Sequence, residues 1–218
     1  MKFQPLVEQV TLRPAIAEDG DWATPLLFAA GPEVFSYSFA SPAEQAQTIL
    51  RQAFSYPHHA FSYEYALVVE VQQQPVGVMM RYSGSVKRQA DEKVHSVMAR
   101  LLPLHKLPKI LMNVADLSRI KQEVRLSDYY ILGLSILPEF RDQGLGSRFL
   151  AQAEVEARSQ HCSSLCLDVT YSNRQAKLLF ERVGYQVTCS KTTDRFAQMT
   201  RTGGLHHMVK SLDTPTQC

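Results

Sequence analysis

The chain has 218 residues, 45% of them hydrophobic and 20% charged, with a formal net charge of +2. This is the composition of a soluble globular protein able to bury its own core, without low-complexity segments. The balance of 23 basic against 21 acidic residues argues against a nucleic-acid binder, and no apolar run reaches the roughly 20 residues of a membrane span.

The first ten residues, MKFQPLVEQV, lack the apolar core of a secretory signal. Cys162, Cys166, Cys189 and Cys218 show no zinc-site spacing and are read as reduced thiols of a cytoplasmic protein. In chain order, Val7 to Arg13 is a strand ended by Pro14, and Asp19 to Ala30 is helical in its second half, stopped by Gly31-Pro32. Ser41-Pro42-Ala43-Glu44 predicts a capping box with proline at the first helical position, opening a helix to about Phe54. Tyr65 to Val71 and Val76 to Tyr82 form a hairpin across a polar turn. Val94, Val97, Met98, Leu101 and Leu102 recur at helical spacing, and Pro103 and Pro108 divide that helical block. Tyr129 to Leu137 is a further strand.

A helix follows from about Leu145 to Ser159, with Phe149, Leu150, Ala153 and Ala157 on its apolar face. Leu165 to Thr170 is a strand. Asn173 to Val183 is a helix with a buried stripe of Ala176, Leu179, Phe180 and Val183, stopped by Gly184. Tyr185 to Ser190 and Leu205 to Leu212 are the last strands. The order predicts one mixed α/β domain over residues 1–218, its core at about 7–212, with residues 87–125 as a helical insertion or cap.

The segment ILPEFRDQGLGSRFL, residues 136 to 150, is the most informative. A strand ends at proline and a glycine-bearing turn opens into an amphipathic helix. That arrangement presents free N–H groups at the positive end of a helix, where phosphate binds without a dedicated side chain. Gly144 and Gly146 allow close approach, and Arg141 and Arg148 add charge from the flanks. The dinucleotide fingerprint and the P-loop lysine are both absent. On the glycines alone, an ordinary tight turn is an equal reading.

Arg141-Asp142-Gln143-Gly144-Leu145-Gly146, after the strand LSILP, resembles the R/Q-x-x-G-x-G/A signature of the GCN5-related N-acetyltransferase superfamily. Asn173 to Tyr185 resembles the family's downstream N-x-x-A-x-x-L-Y-E-x-x-G-F segment at matching separation, and His207 to Lys210 is similar to its last core strand. The resemblance implies a mixed, mostly antiparallel sheet with a splayed parallel strand pair flanked by helices. It implies acetyl-CoA as co-substrate, without a metal, and a small-molecule amine or peptide as acceptor, in a protein that is a possible homodimer. Pantetheine would pair with backbone near Leu134 and Ile136. The amides of Arg141, Asp142, Gln143, Gly144, Leu145, Gly146 and Ser147 would hold the pyrophosphate. Asn173 would bond the pantetheine arm, or cap its helix, or both; Lys177 would approach the adenosine phosphate end.

The sequence departs from the pattern at Phe180, where the family often has a tyrosine that protonates the leaving thiolate. A phenyl ring can still pack beside the thioester, so Phe180 remains a cofactor contact, but the acid must come from Tyr171, Tyr129, Tyr130 or water. The strand position where the family often places a glutamate base holds Tyr130, a poor base at neutral pH. Asp128, two residues earlier on the same strand face, is the alternative, and Asp168 faces either the site or a structural partner. The adjacent pairs His58-His59 and His206-His207 point to opposite sides of their strands and form no chelate. Trp22, Phe28, Phe35, Tyr37 and Phe39 either wall the acceptor pocket or pack the core. The same residues also admit a non-catalytic acyl-CoA-binding module.

Overall fold

The computed structural model describes residues 10–102 and 104–212. Residues 7–9 of the expected first strand, Pro103 and Cys218 lie outside them. Among the described residues seven strands form one sheet: β1 (Val10–Pro14), β2 (Ala66–Val71), β3 (Gln74–Ser83), β4 (Asp128–Ile136), β5 (Ser164–Thr170), β6 (Gln186–Lys191) and β7 (Leu205–Ser211). They lie in the order β1-β2-β3-β4-β5-β7-β6, and every neighbouring pair is antiparallel except β4–β5. This is the mixed sheet with one parallel pair that the sequence implied.

Helices cover both faces, so the central strands are apolar on both sides. On one face Leu67, Val69, Tyr129, Ile131, Leu165 and Leu167 pack under α6 (Leu145–Ser159), whose Phe149, Leu150, Ala153 and Ala157 are buried. On the other, Val68, Val78, Met80, Tyr82, Tyr130 and Cys166 pack under α1 (Gly20–Ala29) and α3 (Ala43–Phe54). The same face carries α2 (Pro32–Ser38), α4 (Gly84–Leu101) and α5 (Leu107–Ile120).

Several local expectations are corrected. Helix α1 begins at Gly20, before the expected second half of its segment. The Asp19 carboxylate accepts from Ile16 N at 2.8 Å, Trp22 Nε1 at 3.0 Å and both terminal nitrogens of Arg13, which ties down that start. Gly31-Pro32 ends α1 but also starts α2, with proline in the first turn, where a missing N–H costs nothing. The capping box at Ser41 does not form. Ser41 Oγ donates to Phe39 O, and Pro42, with ψ 159°, becomes the N-cap itself. The helical block is divided as its prolines predicted, into α4 and α5, with Pro108 in the first turn of α5.

The apolar positions of α4 are also less buried than their spacing suggested. Only Gly84 and Ala90 are buried in this helix, with Val86 and Met98 partly packed. In α7 (Arg174–Arg182) only Phe180 of the expected stripe is buried. Helix α8 (Asp194–Thr200), between β6 and β7, was not anticipated. It is capped by Thr193, whose hydroxyl accepts from Phe196 N at 3.1 Å, and it buries Phe196 completely.

Candidate active site

The site is built where β4 and β5 part. β4 and β5 run parallel from Asp128↔Ser164 to Ile131↔Leu167, and there the pairing stops. β4 continues to Ile136 against β3, while β5 continues to Thr170 against β7. The Leu137 N–H donates to Val76 O on the β3 side. By the alternation of an antiparallel ladder, Ser135 and Gly133 also turn their backbone groups to β3. Leu134 and Ile136 therefore turn theirs to the opening. Consistent with this, the Ile136 carbonyl accepts from Arg141 Nε at 3.0 Å instead of from β3.

At the end of β4 a short turn, Pro138–Phe140, leads to α6. Asp142 has φ +60° and Gly144, the N-cap, has φ +79°, so the chain passes twice through the left-handed region before the helix begins. A Cβ built on Gly144 meets no atom within 4 Å. Glycine is needed there for its dihedral angle, and the space above it is open. The first helical bond is Arg148 N to Gly144 O, so the amides of Leu145, Gly146 and Ser147 have no intrahelical acceptor. Gly144 and Ser147 are exposed and Gly146 is half-buried beside Leu134 and Leu179, so this positive helix end lies next to the opening. Gln143 donates to Glu139 O and holds the turn; Arg148 reaches the Val10 carbonyl.

The other expected residues fall around this frame. Asn173 Oδ1 accepts from Ala176 N at 3.1 Å, so the capping role is real. Lys177 pairs with Glu181 at 2.5 Å along the exposed side of α7. Phe180 is buried in the α6 face of the core, its ring 5.7 Å from that of Tyr185. Tyr171 stacks on His206 at 4.4 Å and lies against Gly203 and Gly204. Asp128 accepts from Arg125 N and Ser164 Oγ, both at 2.7 Å, which fixes the start of β4.

Tyr130 lies at the point of divergence on the α1 face. Its hydroxyl donates to Asp168 Oδ2 at 2.9 Å, and Asp168 Oδ1 is 2.9 Å from His207 Nδ1. Lys121, just past α5, approaches the Tyr130 hydroxyl at 3.5 Å. Burial acts to raise the Asp168 pKa. The His207 hydrogen bond, Lys121 and the Tyr130 hydroxyl outweigh it and hold the carboxyl below its usual range. Burial, reinforced by Asp168, raises the Tyr130 phenol well above its ordinary value, so it stays protonated. Burial likewise lowers the Lys121 ammonium. Among the described residues no cluster of three or more His, Cys, Asp or Glu is arranged to hold a metal, and no helix is long and apolar enough to cross a membrane.

The sequence model of the acetyltransferase (GNAT) family matches residues 35–185, from α2 through the strand opening to Tyr185. The chain belongs to the GNAT acetyltransferase family. No curated protein sequence matches it. Among solved structures, an N-acetyltransferase from Staphylococcus aureus Mu50 is similar in fold, with a TM-score of 0.67 at 16% identity over 91% of this chain and 99% of that one. A structure described as an acetyltransferase has a TM-score of 0.63 at 22% identity, over 93% of this chain and 100% of that one. The ribosomal-protein-S18-alanine N-acetyltransferase of Escherichia coli gives 0.52 at 12% identity, over 95% and 97%. At these identities the likeness is one of fold.

In this GNAT chain the Asp168–His207 contact escaped sequence reasoning. The two residues are 39 positions apart and meet only because β7 inserts between β5 and β6, placing Asp168 opposite His207. The available signal was the alternation of β5, which put Asp168 on the face of Cys166 and Tyr130. Lys121 had no signal of its own, since it lies beyond the end of a helix whose docking the sequence does not specify.

Proposed function

We propose that the protein moves the acetyl group of acetyl-CoA to an amine, carried by a small molecule or a peptide, by direct attack on the thioester. The observation that carries this reading is the strand opening between Leu134 and Asp168 with a free helix N-terminus at its mouth. The backbone of Leu134 and Ile136 faces this opening and is suited to an extended chain bearing amide groups, such as pantetheine. Residues 141–147, centred on Gly144, offer N–H groups and a positive helix end to a pyrophosphate. Asn173 and Lys177 flank the path on α7, and Phe180 supplies an apolar wall behind it. The fit therefore rests on donors, on space above Gly144 and on charge.

In this reading the enzyme works chiefly by placement. Holding a thioester carbonyl still beside an approaching amine replaces a bimolecular encounter, and the backbone N–H groups at the opening stabilise charge developing on the carbonyl oxygen. Tyr171 is the proposed acid for the leaving thiolate, with Tyr130 as the alternative acid and Asp128 as the candidate base of β4. The three described cysteines, Cys162, Cys166 and Cys189, are free thiols, in keeping with a cytoplasmic setting. Phe180 favours a second reading, a non-catalytic acyl-CoA-binding module, because it removes the family's familiar acid.

Thermal unfolding with and without acetyl-CoA tests the cofactor half. At about 100 times its dissociation constant the ligand should stabilise the fold by about 2.7 kcal/mol. Gly144→Glu should abolish that shift by filling the anion site with a like charge. A mutant that still shifts places the pyrophosphate elsewhere.

A further inference from the structure

Asp168 and His207 occupy neighbouring strands one residue beyond the last β4–β5 pair, on the face opposite α6. The helix end proposed for the pyrophosphate lies on the α6 side. On the other side lie Tyr130, Asp168 and His207. Their side chains are nearly enclosed, at 7% exposure for Asp168 and 10% for His207.

The chemistry of the pair is directional. A carboxylate held below its usual range accepts, so His207 Nδ1 carries the hydrogen and donates. That leaves Nε2 as the basic nitrogen. The second carboxylate oxygen is occupied by the Tyr130 hydroxyl, which fixes the carboxylate plane and thereby the imidazole orientation. A base oriented by an acid residue, itself oriented by a third group, is the arrangement that proton abstraction requires.

Resting on the acetyltransfer reading above, we propose that His207 Nε2 accepts the proton of the incoming amine, with Asp168 and Tyr130 as its positioning residues. The acceptor ammonium gives one proton to Nε2. The freed lone pair forms the N–C bond at the thioester carbonyl, and the C–S bond breaks with its electron pair on sulfur. Tyr171, the proposed acid, gives its proton to the thiolate and is reprotonated by the second proton, which leaves the new amide nitrogen, and the imidazolium returns its proton to solvent.

The other groups facing this pair are cationic or neutral. Lys121 comes from the end of α5, while Lys87, paired with Asp91, extends from α4 over the Tyr82 and Tyr130 rings. Cys166 lies below on β5, and Cys189 is opposite His207 on β6.

The test measures amine-dependent thiol release from acetyl-CoA across pH, beside the acetyl-CoA thermal shift, for wild type, His207→Gln, His207→Ala and Asp168→Asn. The inference expects His207→Gln to keep the thermal shift, to lose about 100-fold or more in rate and to lose the acidic limb of the pH profile. Added imidazole should restore part of the His207→Ala rate, a rescue that a packing role cannot give. Asp168→Asn should keep the shift and slow release. A His207→Gln enzyme with wild-type rate and pH profile overturns this inference and leaves the transferase reading standing. A variant that loses the thermal shift together with the rate assigns the network to folding and also overturns it. A wild type that binds acetyl-CoA but shows no amine-dependent thiol release sinks the transferase reading, and this inference with it.

Discussion

Ile131 and Leu167 form the last parallel pair between β4 and β5, so Leu134 has no β5 partner although both strands continue. The opening is created by partner choice. β5 stays with β7 to Thr170, and β4 stays with β3 to Ile136. Each strand satisfies one edge, and the facing edges are left for something else. Unpaired strand edges are costly or hazardous unless covered, and the proposed pantetheine arm, with its amides, would cover these.

Gly144 should tolerate alanine sterically but not conformationally. With φ +79° and no atom within 4 Å of a built Cβ, Gly144→Ala should cost about 1 kcal/mol through the left-handed dihedral alone. Chemical denaturation checks the value. Retained acetyl-CoA stabilisation in this variant, beside its loss in Gly144→Glu, separates backbone strain from blockage of the anion site.

Gly84 makes the opposite case. A Cβ there would lie 1.9 Å from the Arg125 carbonyl oxygen, at the start of α4 where it passes the loop into β4. Gly84→Ala must displace backbone, and a loss of about 3 kcal/mol is expected. An unfolding midpoint equal to wild type would show that the two segments are not in contact.

His59 is fully buried with both ring nitrogens engaged: Nε2 is 2.9 Å from Ala53 O, and Nδ1 accepts from Phe61 N at 3.3 Å. Burial lowers its pKa, so the folded chain resists a proton that the unfolded chain takes up near pH 6.5. The unfolded state binds more protons below that value, so stability should fall as pH drops from about 7 toward 5.5. The urea midpoint should show this decline, and His59→Gln should flatten it. An undiminished slope in the variant would assign the effect to another group.

Asp19 should govern a second, more acidic window. Burial raises its pKa, but Arg13, the Ile16 amide and Trp22 prevail and hold it below the usual carboxylate value. Its stabilising effect is present above about pH 4 and is lost as pH falls through the folded value. Asp19→Asn should cost about 2 kcal/mol at pH 7, because Arg13 and Trp22 lose an ionic acceptor. The difference from wild type should shrink on acidification; a constant difference would deny the charge its role.

Much of this was legible in the sequence, and the reasons are local. Phe149, Leu150, Ala153 and Ala157 recur at helical spacing because α6 has one buried side, and Gly144 marks a turn that only glycine enters easily. Asn173 announced α7 as its N-cap. What stayed hidden depends on docking. Ser41 resembled an N-cap, yet its hydroxyl is drawn to Phe39 O and contacted by Lys106 from a distant segment. The network at the strand opening joins Tyr130, Asp168 and His207 from three strands with Lys121 from the segment after α5. Phe196 is invisible as a core residue until α8 folds back on Tyr37 and Leu117.

The account stands most directly on one assay, the release of free coenzyme A thiol from acetyl-CoA by the purified protein across a broad panel of amines, polyamines, amino acids and peptides. Release that depends on an amine, with the acetyl group recovered on its nitrogen, and that is lost in Gly144→Glu, is the predicted result. Tight acetyl-CoA binding with no amine-dependent release anywhere in the panel would contradict it and leave a binding module in its place.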